Sequence, residues 1–199
     1  MNILCSDLEG VFVPEIWIKV AEKTGIEELR LTTRDISDYN ELMKKRLRVM
    51  DQHGLKLKDI TDAVASLDPL EGAAETLAWI RTRYQIIVLS DTFEEFAKPL
   101  MQKLDFPTLF CHSLVVDADG RITDYALRQQ GQKQKAVKAL QSLNYRVIAF
   151  GDSYNDTDML KQADTGFFFK PPESILKDFP DFAVTRTYDE LKEMITSVI

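Results

Sequence analysis

The sequence predicts a Rossmann-like α/β fold, a parallel sheet with helices on both faces. Three observations carry that expectation. Short apolar runs of strand length alternate with segments of helical period. Several of these runs stop at acidic or hydroxyl residues. The stretch 14–68 shows no strand pattern and reads as helices inserted after the first strand, over the sheet edge. Strand–helix alternation with short apolar strands argues for a sheet covered on both sides, because the crossovers between parallel strands are helices that pack on its faces.

In chain order, Asn2 to Leu8 is a short buried strand. Pro14 to Lys23 is helical, with a proline early and Gly25 just past the end. From there to about Leu67 the chain is charged and helical. Leu42, Leu47, Val49, Met50, Leu55, Ile60, Val64 and Leu67 recur at roughly helical spacing until Asp68-Pro69 breaks the pattern. Gly72 to Arg83 is a helix, Gln85 to Ser90 a strand, and Glu94 to Leu104 a helix. Leu109 to Val116 and Ile122 to Leu127 pair as a hairpin about the turn Asp117-Ala118-Asp119-Gly120. Gln132 to Leu143 is helical, Arg146 to Phe150 a strand, Asn155 to Ala163 a helix, Gly166 to Phe169 a strand, and Tyr188 to Ile199 a terminal helix. The expected organisation is a catalytic core of residues 1–13 and 69–199, with 14–68 as a separate helical unit.

Composition narrows the class. With 45% hydrophobic and 29% charged residues, the 199-residue chain is a globular protein able to bury a core. The formal net charge is -7 and there is no strongly basic run, which argues against a nucleic-acid partner. Two cysteines, Cys5 and Cys111, sit in apolar runs that read as buried strands. They form no CxxC pair, so neither a disulfide framework nor a zinc site is expected. The N-terminus opens into a strand, without the basic and apolar regions of a signal peptide. No apolar run approaches the roughly 18 residues of a membrane span. The expected location is the cytoplasm.

Open parallel sheets bind ligands outside the carboxyl ends of their strands. The first strand ends in Asp7-Leu8-Glu9-Gly10, the strand near 88 in Ser90-Asp91-Thr92, and the strand near 148 in Gly151-Asp152-Ser153-Tyr154-Asn155-Asp156. Lys133 starts a helix between the second and third. It points to the rim better than Lys135 or Lys138, because Ala136 and Val137 follow at core-facing spacing. Carboxylates for a hard cation, a hydroxyl donor and one lysine suit phosphoryl transfer, which needs in-line positioning and neutralisation of spread negative charge.

These four segments, in this order and separation, resemble the four motifs of the haloacid dehalogenase superfamily across nearly the whole chain. The insertion resembles the small cap of the phosphoserine phosphatase branch. The DLEG opening and GDSYND stretch are similar to the bifunctional type that hydrolyses phosphoserine and transfers its phosphate to homoserine. The resemblance implies a small helical cap inserted after the first strand. It makes Asp7 the nucleophile, carrying an aspartyl-phosphate, and Glu9 the general acid and then base. Glu9 departs from the commoner aspartate. The resemblance also implies Mg2+, held by Asp7, the backbone carbonyl of Glu9, and Asp152, with Asp156 on a metal-bound water or on the helix dipole. Ser90 and Lys133 would bind the phosphoryl oxygens. Asn155 would contact substrate or cap its helix.

In the cap, Glu15 matches the position that meets the substrate ammonium and Arg46 the one that meets its carboxylate. Arg48 is the nearest rival to Arg46. Asp91 matches no catalytic role and reads as a loop or capping residue, and His53 and His112 read as structural. The implied partners are phosphoserine and homoserine, acting on a monomer or homodimer. A phosphatase of another small ester, such as a sugar phosphate, would dispense with the Glu15–Arg46 pair. A non-catalytic binding module of the same fold would have no use for a nucleophile. A haloalkanoate dehalogenase would need neither Glu9 nor Asp152.

Overall fold

The structure is a computed structural model that describes all residues except Arg34 and Ser37. The helical reading of Gly25 to Leu67 takes in these two positions, which lie outside the described residues. A seven-stranded sheet organises the chain, in the order β4-β3-β2-β1-β5-β6-β7. Its strands are β1 Asn2–Ser6, β2 Gln85–Phe93, β3 Thr108–Val116, β4 Ile122–Ala126, β5 Arg146–Gly151, β6 Thr165–Phe169 and β7 Ala183–Thr185. The pairs are parallel except β3 with β4, the expected hairpin. The predicted α/β class therefore holds. β7 was not anticipated, because three residues are too few to show a period.

Apolar residues alternate across the sheet as strand geometry requires. Leu4, Val88, Ile148, Phe150, Phe167 and Phe169 belong to one core cluster, and Ile3, Cys5, Leu89, Val147, Ala149 and Phe168 to the other. The first face is covered by α4 Ala73–Arg81, α5 Glu94–Lys103 and α9 Tyr188–Val198. The second is covered by α6 Gln132–Ser142, α7 Thr157–Gln162 and α8 Glu173–Asp178. Cys5 is fully buried, but Cys111 is only half-buried, since β3 lies next to the short edge strand β4.

Between β1 and α4 lie α1 Ile16–Thr24, a 3-10 turn at Glu27–Arg30, α2 Tyr39–Gln52 and α3 Leu57–Ala65. The long helical reading is thus broken after Arg30 and again where the chain turns at His53-Gly54. The Asp38 carboxylate starts α2 by accepting from the N–H groups of Asn40 and Glu41, a cap contributing about 0.5–2 kcal/mol. Leu42, Met43, Arg46, Val49 and Met50 form the buried face of α2.

The sheet carries this segment at several points. Tyr39 Oη donates to the Asp91 carbonyl at 2.8 Å, Tyr125 Oη to Asn40 at 2.7 Å, and the Leu57 N–H to the Gly120 carbonyl at 2.9 Å. Arg121 pairs with Asp51. The β3–β4 hairpin therefore holds both ends of α2. Among the described residues, no helix is long and apolar enough to cross a membrane.

Candidate active site

After β1 the chain goes to β2 on one side, and β5 later pairs with β1 on the other, so strand order reverses at β1. That reversal opens the crevice in which α/β sheets bind ligands. Asp7 stands at the tip of β1, its N–H bonded to the Phe150 carbonyl at 3.1 Å. Beyond it the chain curls tightly, with Phe12 and Val13 N–H on the Leu8 carbonyl and Gly10 at φ +75°. A Cβ on Gly10 would lie 2.3 Å from an Asp152 oxygen, and one on Gly151 2.3 Å from Cγ of Asp156. Both glycines are there so that carboxylates can approach the backbone closely.

Lys133 is 4% exposed and sits between two carboxylates, 2.9 Å from Asp7 Oδ1 and 2.8 Å from Asp156 Oδ1. Asp7 Oδ1 also accepts the Leu8 N–H at 2.7 Å. Asp156 Oδ2 accepts the N–H groups of Asp152 and Ser153, both at 3.0 Å. Asp156 thus anchors Lys133 and closes a capping box with Ser153.

Ligand oxygens of Asp7, Asp152 and Asp156 lie within 4.8 Å of one another, all buried. Burial first, then Asp156 and Asp152, push the Asp7 carboxyl well above its ordinary range against the pull of Lys133. Burial would depress Lys133, but Asp156, Asp7 and Asp91 hold its ammonium well above normal. Three buried carboxylates against one ammonium leave two formal negative charges, and the donors are hard oxygens. The set fits a small divalent cation.

Glu9 sits at the cleft, half-buried, its Oε2 accepting the Ile16 N–H at 2.8 Å. Burial and then Glu15 push its carboxyl up to about 7, against the Ile16 N–H, Arg46 and Lys133. Across the cleft Arg46 is 6% exposed, with Nη2 on the Leu31 carbonyl at 2.9 Å and its guanidinium 4.4 Å from the Trp17 ring centroid. Its Nε is buried with no hydrogen-bond partner among the described residues. Burial lowers the guanidinium to about 10, opposed by Tyr39, Glu9 and Glu15, so it stays charged at neutral pH.

One cavity is lined by Asp7, Glu9, Glu15, Arg46, Ser90, Asp152 and Asn155, with Trp17 and Tyr39 in its wall. Two residues singled out from the sequence, Lys133 and Asp156, do not line it; Lys133 reaches it through Asp7, and Asp156 stands behind Lys133. Arg48 is an exposed residue bonded within its own helix and is not in the cavity wall.

The family model of haloacid dehalogenase-like hydrolases matches residues 6–164. The chain belongs to that family. As a haloacid dehalogenase-like hydrolase it is 56% identical to a phosphoserine phosphatase of Pseudomonas syringae pv. tomato, over 97% of this chain and 81% of that protein. It is 57% identical to the phosphoserine phosphatase ThrH of Pseudomonas aeruginosa, over 96% of this chain and 94% of that one. A crystal structure of a phosphoserine phosphatase in apo form superposes with TM-score 0.77 at 23% identity, covering 98% of both chains.

Among the residues of this hydrolase's cleft that sequence reasoning passed over, one is a carboxylate. Asp91 is no loop residue, since β2 runs on to Phe93 and carries it into the cavity wall. Burial would raise its carboxyl, but Lys133, His112, Gln132 and Asn155 hold it well below the usual range. The available signal was its place directly after Ser90.

Proposed function

We propose that this chain is a magnesium-dependent phosphoserine phosphatase that works through an aspartyl-phosphate on Asp7. Residues 14–68 act as its cap domain over a core of 1–13 and 69–199. The observation that carries the reading is one cavity with Asp7 and its Lys133–Asp156 clamp at one side and the under-satisfied Arg46 at the other. The named relatives support the same substrate.

Both contacts on Asp7 fall on Oδ1, leaving Oδ2 for attack. Asp7 Oδ2 bonds to phosphorus as the ester P–O bond breaks, and Glu9 gives its proton to the departing serine oxygen. Water then attacks phosphorus and yields a proton to Glu9. The Asp7–phosphorus bond breaks, releasing inorganic phosphate and restoring the carboxylate. A carboxyl near 7 suits both duties, because a group that must give and then take a proton works best close to the ambient pH. Lys133 and Ser90 bind phosphoryl oxygens. Asp7, Asp152 and the Glu9 carbonyl would hold Mg2+, which would supply neutralisation of phosphoryl charge. Arg46 takes the substrate carboxylate, its planar donors matching two oxygens, and Glu15 takes the ammonium.

The test is hydrolysis of phosphoserine with magnesium, with a chelator, and with magnesium restored. Acid quenching should trap labelled phosphate on Asp7. Full turnover after exhaustive chelation would remove the metal from this reading.

Transfer of the phosphoryl group to homoserine is the finer proposal. Glu9 has one more rotatable bond than aspartate, which loosens its hold on an attacking water. The Glu15–Arg46 pair would hold the two charged ends of an amino-acid alcohol and bring its hydroxyl in line. The ratio of O-phosphohomoserine to free phosphate should therefore rise with homoserine, and Glu9→Asp should move the partition toward hydrolysis. An identical ratio in the two proteins would show that Glu9 does not set it.

A further inference from the structure

The chemistry above gives Asp91 nothing to do, yet three side-chain donors converge on its carboxylate. Gln132 Nε2 lies 3.2 Å from Oδ1 and His112 Nε2 3.4 Å from the same oxygen, while Asn155 Nδ2 lies 3.0 Å from Oδ2. The second polar atom of each partner is committed elsewhere. His112 Nδ1 accepts the Arg128 N–H at 3.2 Å, which places the ring proton on Nε2, between Asp91 Oδ1 at 3.4 Å and Gln132 Nε2 at 3.3 Å. Gln132 Oε1 accepts from Arg128 Nε at 3.2 Å, and its Nε2 also donates to the Ser90 carbonyl at 2.6 Å. Asn155 Oδ1 accepts the Ser153 hydroxyl. None of the three can turn to relieve a mismatch at position 91 without breaking another bond. His112 is 3% and Gln132 2% exposed, so water cannot readily replace what they lose.

We propose that Asp91 is a positioning residue, an acceptor-only hub that fixes Ser90, Lys133 and Asn155 about the phosphoryl group. Ser90 precedes it in the chain, Lys133 follows Gln132, and Asn155 is bonded to it directly. One carboxylate thus ties the end of β2, the start of α6 and the turn after β5 into one frame. Its backbone carbonyl, through Tyr39, fixes the start of α2 to the same frame. A carboxylate is required because all its neighbours are donors. An amide offers one acceptor oxygen and turns an N–H against another N–H. Reacting groups displaced by about 1 Å lose on the order of a hundredfold in rate.

This inference rests on the phosphatase reading, and its test separates the two. Asp91→Asn, nearly isosteric, should lower kcat about 10- to 100-fold. The loss should be similar on phosphoserine and p-nitrophenyl phosphate, with KM within about twofold for either, because the frame serves the phosphoryl group and not the amino-acid end. In an Asn155→Ala background the same substitution should cost several-fold less, since part of its effect runs through Asn155. Asp91→Glu, bulkier but still acceptor-only, should retain more activity than Asp91→Asn, the reverse of a ranking by size. If Asp91→Asn does not fold, Asp91→Glu singly and with Asn155→Ala carries the same comparison. A folded Asp91→Asn enzyme with the parent kcat, or strict additivity with Asn155→Ala, would overturn the inference while leaving the phosphatase reading intact. A parent protein that turns over neither ester overturns both.

Discussion

At the strand-end side of the cleft, the Lys133 ammonium is met by two carboxylates within 2.9 Å, and Asp156 is bonded through both oxygens. At the helix side, Arg46 is just as deeply buried, yet its Nε has no hydrogen-bond partner among the described residues and its Nη1 reaches only the Met43 sulfur, at 3.6 Å. Leaving a buried polar group unpaired costs about 1–3 kcal/mol. The first side is complete in its cation–carboxylate contacts, as a preorganised catalytic centre should be. The second holds a buried cation with an unpaired Nε, which the proposed function sets against the substrate carboxylate. That difference predicts two kinds of mutational loss, one common to all phosphate esters and one confined to those that carry a carboxylate.

The largest effect is expected at the complete side. Asp7→Asn removes the nucleophile and should lower kcat by at least about three orders of magnitude on phosphoserine and p-nitrophenyl phosphate alike. The fold should persist, which circular dichroism and thermal unfolding would check. Substantial turnover by a sequence-verified Asp7→Asn preparation would end the covalent mechanism.

Arg46→Ala should separate the substrates. Its loss on phosphoserine should be about tenfold to a hundredfold, the worth of a charged hydrogen bond, with little loss on p-nitrophenyl phosphate. Arg48→Ala, on the exposed face of α2, should leave both rates nearly unchanged. Equal losses on the two esters in Arg46→Ala would mean that the arginine supports packing against Trp17 instead, and the contrast between the two sides would collapse.

The two sides were also unequally legible in the sequence. Asp7, Ser90 and Asp152 could be placed because each follows an apolar run of strand length, and a parallel sheet delivers such positions to one rim. Lys133 could be placed because the core-facing spacing of Ala136 and Val137 fixed the rotation of α6. Asp91 was lost by reading β2 three residues too short, since Thr92 and Phe93 give no signal that separates strand from helix start. Its partners His112 and Gln132 come from β3 and α6, 20 or more residues away, and no local period reports such a meeting. On the helix side, Glu15 and Arg46 were reached only through a family likeness, because a charged helical segment offers many equivalent candidates. What the sequence could not show there was burial: Arg46 and Arg48 are two residues apart, and only packing distinguishes them.

The smallest effect concerns Glu9, which stands between the two sides and feels both Lys133 and Arg46. Its carboxyl is pushed from an ordinary 4.5 up to about 7 in the folded protein, burial being the first cause. Between those values the folded chain keeps a proton that the unfolded chain has released. The unfolded state therefore binds fewer protons, and the Glu9 contribution makes stability fall as pH rises through that window. Above about pH 7 both states are ionised at this group and its contribution stops changing. Glu9→Gln cannot ionise and lacks the slope. Its Tm relative to the parent should therefore climb between about pH 5 and pH 7 and then level off. A carboxyl moved from 4.5 to about 7 carries about 3 kcal/mol, and each 1 kcal/mol corresponds to about 2–4 °C for a chain of this size, so the whole effect is on the order of ten degrees. Both proteins should be measured with a chelator present, so that metal affinity does not enter the comparison. Asp7, also pushed upward, tilts both curves and cancels in the difference to first order. Parallel curves would mean that the Glu9 carboxyl titrates in its ordinary range, which would remove the reason for giving it both proton transfers.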